Sequence, residues 1–503
     1  MTQVANEIAD GGRDKAAPAI VWLRRDLRLG DNPALASAVE TGRRVIPLYI
    51  LDETPGVRPM GGASLWWLDR SLAALAAALE EKGSRLILRR GVAADILAEV
   101  IGETGASAVL WNRLYDPDTL ARDTTLKSAL RARGLTVRSC NAGLLNEPLE
   151  VATGEGNGFK VFTAYWRAAR AKLDHVEPLV TPRRLAAPAQ WPASEALESW
   201  ALHPKTPDWS GGFDIWKPGE AGAHKRLDAF IDSRLRRYSE ARDIPAREGT
   251  SRLSPHLHFG EIGPRQVWSA VQMAAAAGEV PDREAEKFLA ELGWREFNHH
   301  LLFHAPEMAT KAWRPAYDRV AWRKDPVALK AWQRGRTGYP MVDAGMRELW
   351  ATGYMENRVR MIAASFLIKH LLIDWREGEA WFWDTLVDAD QANNAGNWQW
   401  VAGSGADASP WFRIFNPFGQ GEKFDADGAY VRHWVPELAG LPNDVIHQPW
   451  TARPDVLAKA RVTLGITYPH PIVDHAQARA RALAAYAVVK SPSPEIDSAE
   501  EAA

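Results

Sequence analysis

The sequence predicts an α/β unit built on a parallel sheet, followed by a larger all-α unit. Three observations carry this reading. The first 150 residues alternate short apolar runs with Ala- and Leu-rich helical patterns, as strands do when helical crossovers cover both faces of their sheet. Residues 223–486 show helix-compatible patterns broken by Gly and Pro turns, without strand alternation. The chain is also 503 residues long, more than one core of roughly 100–200 residues organises.

Element by element, Ala-Ile-Val-Trp-Leu at 19–23 is the first apolar run. Runs at 44–51, 85–88, 106–111 and 135–139 follow, with β-branched content suited to buried strands. Residues 64–82 and 119–133 read as helices between them, with charges gathered on one side. No G-x-G-x-x-G follows the first run. Leu23-Arg24-Arg25-Asp26-Leu27-Arg28 stands there instead, so a dinucleotide-binding fold lacks its phosphate turn. The expected boundaries are a disordered lead at 1–18, the α/β domain at 19–150, and a connector at 151–222 marked by six prolines from Pro182 to Pro218. The helical domain then occupies 223–486, and a disordered Ser-, Pro- and Glu-rich tail 487–503.

Composition narrows the class. Hydrophobic residues make up 46% and charged residues 25%. No stretch approaches the roughly 18 apolar residues of a membrane span, and the polar lead lacks the apolar segment of a signal peptide. A cytoplasmic protein with no membrane partner is expected. The single cysteine, Cys140, excludes an internal disulfide, a Cys-based zinc site and a four-cysteine iron-sulfur cluster; no metal is expected. A net charge of -2 gives no global basic field, so a polyanion partner requires a local patch. One candidate is 223–247, where seven Lys and Arg residues, Arg242 among them, face four acidic ones. A solvated helix face explains part of that run equally well. The outlying number is 23 tryptophans against 10 tyrosines.

Four blocks carry chemistry. Tyr238 and Arg242 precede Gly249-Thr250-Ser251-Arg252-Leu253-Ser254-Pro255, whose hydroxyls and N-H groups suit either a phosphate cradle or a plain helix N-cap. Glu291, Trp294 and Arg295 stand at i, i+3 and i+4, one helical face able to stack a base and bond its edge, or else an ion pair beside a packed indole. Asn357 and Met361 share a face flanked by Arg358 and Arg360. Asp388, Asp390 and Asn394 lie close to Trp375, Trp398 and Trp400. They suit the polar edge of a heterocycle better than a metal, because no ligand-spaced His pair accompanies them.

These blocks, in this order, with Val21-Trp22-Leu23-Arg24-Arg25-Asp26 before them and Tyr468-Pro469-His470-Pro471 after them, resemble the photolyase/cryptochrome family over about nine-tenths of the chain. The resemblance implies an α/β antenna domain and a helical domain holding FAD. Tyr238, Thr250, Ser251, Arg252, Leu253 and Ser254 would hold its diphosphate and ribityl side, and Arg295 would also contact it. Arg360, Asp388, Asp390 and Asn394 would line the isoalloxazine, with Arg360 paired to Asp388 and Asn394 facing N5. Trp398, Trp375 and Trp322 match an electron-transfer triad. Trp66 and Trp67 read as packing.

Within the family, a (6-4) lesion enzyme carries two histidines where this chain has Asn357 and Met361, so that reading loses its proton donor. Asn394 fits a photolyase better than the Asp or Cys of cryptochromes. The implied activity is light-driven splitting of cyclobutane pyrimidine dimers in UV-damaged DNA, with a cryptochrome-like blue-light receptor as the alternative. Trp294 and Trp400 would wedge against the dimer beside Met361, while Glu291 and Asn357 bond its carbonyl edge. Arg242, Arg358 and Arg413 would grip phosphates, with Arg295 also against the DNA. The short tail after the last motif favours the enzyme over a receptor, and a monomer without an obligate protein partner is expected. A second, antenna chromophore is implied. Methenyltetrahydrofolate is favoured over deazaflavin or FMN because Asp116 stands where folate-binding relatives carry an acidic residue, though Asp116 equally suits a helix cap before Pro117.

Overall fold

The computed structural model describes residues 17–490 apart from 174, 175 and 412. Five strands, β1 (Ala19–Leu23), β2 (Val45–Asp52), β3 (Ile87–Gly91), β4 (Ala108–Asn112) and β5 (Thr136–Cys140), form one sheet in the order β3-β2-β1-β4-β5, every pair parallel. β1 is the central strand and is buried along its whole length, which is why it reads as an unbroken apolar run and not as an alternation. The crossovers are α1 (Pro33–Glu40), α2 (Gly62–Glu81), α3 (Ala93–Thr104) and α4 (Pro117–Ala132). Ile20, Trp22, Ile46, Leu48, Ile87, Leu97 and Val109 make the core of this layer.

The other elements among the described residues are helices joined by loops. They include α5 (Phe162–Arg170), α6 (Glu220–Ser233), α7 (Tyr238–Ala241), α8 (Ser254–His258), α9 (Pro264–Ala276) and α10 (Asp282–His304). Then come α11 (Pro326–Gln333), α12 (Pro340–Thr352), α13 (Asn357–Ser365), α14 (Trp375–Thr385), α15 (Gln391–Ala402), α16 (Pro417–Phe424), α17 (Ala429–Trp434), α18 (Pro454–Lys459) and α19 (His475–Lys490). Among the described residues no helix is long and apolar enough to cross a membrane.

Two compact units divide the chain at other places than the sequence boundaries. The first takes the residues up to Tyr238 with Thr250–His304 and Leu386–Asp390; the second takes Ser239–Gly249, Ala305–Thr385 and the chain from Gln391. The expected lead at 1–18 lies outside the described residues up to position 16. Pro18 already belongs to the sheet margin, its carbonyl accepting from the Ser107 N-H at 3.2 Å. At the other end α19 runs to Lys490, past the expected start of the tail at 487; residues 491–503 lie outside the described ones.

Within the first unit, the Arg-Arg-Asp segment after β1 binds the sheet to the helices. Asp26 accepts from the Arg24 N-H at 2.5 Å and from Asn112 Nδ2 at 2.6 Å. Arg28, 1% exposed, donates to the carbonyls of Gly260 at 2.9 Å, Asp31 at 2.7 Å and Ala142 at 3.0 Å. Gly260 has φ +65°, and a Cβ there would lie 2.1 Å from the Arg25 carbonyl oxygen, so only glycine permits this approach. In the second unit the buried Asp343 plays the corresponding part. It accepts from the Thr337 N-H at 2.6 Å, the Gly338 N-H at 3.0 Å and the Tyr468 hydroxyl at 2.6 Å. The late Tyr468 motif is therefore a clasp of the fold. Trp66 and Trp67, 2% and 0% exposed, are packing residues as read from the sequence.

Arg28→Met should lower the free energy of urea unfolding by about 2–4 kcal/mol, since it strands three buried carbonyls and the Asp31 carboxylate. A loss within the error of the unfolding curves would show that Arg28 does not clamp this unit.

Candidate functional site

The sheet order reverses between β1 and β4, and ligands of open α/β sheets sit at the carboxyl ends of the strands flanking such a switch point. There Arg25 and Asp26 after β1, residues 112–116 at and after the end of β4, and residues 142–144 after β5 line a cleft with His258, Arg295, His299 and Asp390. Arg25 Nη1 lies 2.7 Å from Asp116 Oδ2. Asp116 stands at the N-cap position of α4 but makes no capping hydrogen bond, and its buried Oδ1 has no protein partner. The cap reading therefore falls away. Burial raises the Asp116 carboxyl to about 6 although Arg25 opposes the rise.

On the other wall, Asp390 Oδ2 lies 3.5 Å from His299 Nε2 and 3.8 Å from His258 Nδ1. Burial drives His299 down to about 4 and lowers His258, so both are neutral at pH 7. Against burial, the two histidines and Arg25 hold Asp390 well below the ordinary carboxylate value. Among the described residues no three His, Cys, Asp or Glu side chains are grouped to hold a metal.

The cradle segment of the first unit is a loop, with helix α8 starting at Ser254. Its N-cap is Leu253, and no side chain caps it. Arg252 adopts φ +51°, a left-handed turn that coils the backbone N-H groups of such a loop toward a common side. Ser254 donates to Asp388 Oδ2 at 2.6 Å, bringing two predicted cofactor residues together. Tyr238 sits against Phe230 and Phe288, with ring centroids 5.7 and 5.5 Å away. Glu291, Trp294 and Arg295 lie along α10, all half-buried. Their ion pairs differ from the simplest expectation: Arg295 pairs with Glu296 at 2.9 Å and Glu291 with Lys287 at 3.8 Å.

In the second unit, Asn394 Nδ2 donates to the Glu379 carbonyl at 3.0 Å and to Glu379 Oε1 at 2.8 Å. Two acceptors on the nitrogen settle which way the amide points and leave Oδ1 for a donor. Trp398 and Trp375 are each 2% exposed, whereas Trp322 is half-buried. The ring neighbours of Trp398 are Phe382 at 5.0 Å and Trp332 at 6.2 Å, and Trp322 lies 6.1 Å from Trp411. Asn357 opens α13, and Met361 follows one turn later; both are accessible, as is Trp400 on α15. Arg360 donates to the Met355 carbonyl at 2.6 Å. Arg358 reaches Asp243 Oδ2 at 2.8 Å and Arg242 reaches Asp243 Oδ1 at 3.9 Å, so two guanidiniums share one carboxylate. Arg413 is exposed.

Two family models match the chain: "DNA photolyase" over residues 19–187 and "FAD binding domain of DNA photolyase" over residues 288–488. A deoxyribodipyrimidine photo-lyase of Agrobacterium fabrum is 57% identical over 477 residues, 95% of this chain and 99% of the relative. This chain belongs to the photolyase/cryptochrome family. Cryptochrome-1 of Arabidopsis thaliana is 41% identical, over 92% of this chain and 69% of that protein. Among solved structures, a class III photolyase from Agrobacterium tumefaciens superposes with a TM-score of 0.92 at 56% identity, covering 96% of this chain and 99% of the other. An archaeal photolyase from Sulfolobus tokodaii with two FAD molecules superposes at 0.78 and 31% identity, over 93% of this chain and 99% of the other. The family's two-part fold, a five-stranded parallel α/β domain and a helical FAD-binding domain, is the fold seen here.

Several residues that shape these groups, each within its own unit, escape a reading of motifs. His258 and His299 meet Asp390 from sequence separations of 132 and 91 residues, and Glu379 orients Asn394 from the preceding helix. None has a spacing signal, because long-range packing brings the partners together. Glu296, 1% exposed, accepts from the Leu145 N-H at 2.7 Å. Burial lifts its carboxyl to about 7, while Arg295 and the Leu145 N-H pull it down.

The folded state therefore holds the Glu296 proton more tightly than the unfolded chain, so its contribution to stability is present below pH 4.5 and is lost as pH rises toward 7. Glu296→Gln should flatten the fall of unfolding free energy over that window by about 3 kcal/mol. Urea titrations at several pH values measure it, and parallel slopes for the two proteins would contradict the assignment.

Proposed function

We propose that this chain is a light-driven deoxyribodipyrimidine photolyase that splits cyclobutane pyrimidine dimers in UV-damaged DNA. The observation that carries the reading is α13, which presents an amide, the exposed Asn357, and one turn on a thioether, the half-buried Met361. Neither is a proton donor of the kind that (6-4) chemistry demands, whereas both suit an apolar dimer with a carbonyl edge. The names of the Agrobacterium relatives support the same conclusion.

The residues present fit FAD. The left-handed Arg252 turn and the Ser254–Asp388 pair offer donors and an acceptor, and Asn394 keeps its Oδ1 open. Tyr238, Thr250, Ser251, Arg252, Leu253, Ser254 and Arg295 are proposed to hold the diphosphate, ribityl and neighbouring parts, and Arg360, Asp388, Asp390 and Asn394 the ring system. When bound and reduced, the cofactor supplies under light the single electron that opens the cyclobutane ring, and then recovers it. The chain's own work is to bind and orient. Arg242, Arg358 and Arg413 take phosphates, the first two also meeting the Asp243 carboxylate. Trp294 and Trp400 stack against an extruded dimer, the distorted step being cheaper to open than an intact one. Glu291 and Asn357 bond its carbonyl edge. Trp398, Trp375 and Trp322 carry electrons inward from the surface, Trp322 being the one of the three that is half-buried and not buried.

A second chromophore is proposed at the switch-point cleft, where the open Asp116 Oδ1 is an acceptor suited to the amino-pyrimidine edge of a reduced folate. Purified protein should then show near-ultraviolet absorbance beyond the share of its flavin, lost in Asp116→Ala. A spectrum accounted for by one FAD alone would remove the folate.

Flavin-loaded protein should clear thymine dimers from DNA in blue light and not in darkness. Trp322→Phe should slow photoreduction of the oxidised flavin at least several-fold, with a smaller effect on repair by protein reduced chemically beforehand. Flavin-loaded protein inert in blue light would return the chain to the receptor reading, and a variant that fails only after chemical reduction would reverse the role of Trp322.

A further inference from the structure

Helix α5, inside the stretch read from sequence as a connector, is built into the wall that carries Trp294. The Phe162 ring lies 3.8 Å from the Trp294 ring with planes 9° apart. One turn on, Trp166 continues the stack at 6.3 Å and 12° from Phe162. It lies flat over Gly293, where a Cβ would come within 2.6 Å of its Cε3 atom. Two aromatics one turn apart on α5 thus register against two consecutive residues of α10. Phe297 closes the group edge-on, 5.9 Å from both Phe162 and Trp294, and the buried Tyr165 holds α5 in place against Phe297 and His300 at 5.2 and 4.9 Å. Trp294 nevertheless stays half-buried, so its indole has one face covered by Phe162 and remains accessible elsewhere.

An indole free to rotate loses side-chain entropy on stacking with a ligand, whereas one already held flat does not. We propose that Phe162 is a positioning residue for lesion recognition: it backs one face of Trp294 and leaves the opposite face as the stacking surface for an extruded pyrimidine dimer. The inference rests on the proposed role of Trp294 and adds the residue that holds the indole in its pose. It also explains why glycine precedes Trp294, since any side chain at 293 would push Trp166, and the stack with it, off α10.

The test uses flavin-loaded, full-length protein in the dark, with a duplex carrying one cyclobutane thymine dimer and its undamaged twin. Phe162→Ala should reduce the preference for the damaged duplex roughly 3- to 10-fold, the range an aromatic pair contributes, with affinity for the undamaged duplex retained. Phe162→Tyr, which keeps the ring, should restore the preference. Equal loss on both duplexes, or no loss on either, would overturn the proposal. Should Phe162→Ala purify without flavin, Phe162→Leu takes its place with the same criteria, because leucine fills the volume without offering a ring face. Trp294→Ala separates the two layers of the argument. Full preference in that variant removes the role of Trp294 itself, whereas lost preference there and intact preference in the Phe162 variants removes only the part assigned to Phe162.

Discussion

A buried guanidinium, that of Arg28, holds the first unit together. Its three carbonyl partners belong to the loop behind β5, to the segment after β1 and to the turn after α8. Burial lowers its basicity and the Asp31 and Asp26 carboxylates raise it, the balance expected of a charge that is stable inside protein only while its partners stay in place. With this clamp set, Arg25 and Asp26 are delivered to the carboxyl ends of the strands, and α8 and α10 arrive close enough for His258, Arg295 and His299 to line the same cleft. The Arg-Arg-Asp-Leu-Arg sequence thus serves the architecture first.

A second theme is that groups expected to act on a ligand are oriented by neighbours that never need to touch it. Glu379 takes both protons of the Asn394 amide, Asp243 stands between two arginines, Glu296 pairs with Arg295, and Phe162 backs Trp294. Each holds its neighbour in one pose before a ligand arrives, which lowers the ordering cost of binding. Of the buried carboxylates, Glu296 has its proton affinity raised by burial, whereas the histidines and Arg25, against burial, lower that of Asp390.

The tryptophan excess divides along similar lines. Trp22, Trp67, Trp111, Trp332 and Trp411 rank among the largest fully buried side chains and fill space against other rings, edge-on for Trp22 with Trp111 and flat for Trp411 with Tyr486. Trp294, Trp322 and Trp400, the ones proposed to meet a ligand or the surface, are half-buried.

By itself the sequence determined the parallel α/β unit, the helical unit, the family and the residue types of the site, because these depend on local periodicity and on motifs whose members lie within a turn or two of one another. Four of the strands fall almost wholly on the runs read from sequence, while β3 shares only Ile87 and Leu88 with the run at 85–88 and continues through Arg89, Arg90 and Gly91; Glu291, Trp294 and Arg295 were legible as one helical face. The tertiary structure alone decided the strand order and hence the cleft, the release of Asp116 from capping duty, the His258–Asp390–His299 cluster, the Glu379 clamp and the place of α5 beside Trp294. Each joins residues dozens to hundreds of positions apart. Burial and chain crossings bring such partners together, and neither leaves a trace in local spacing.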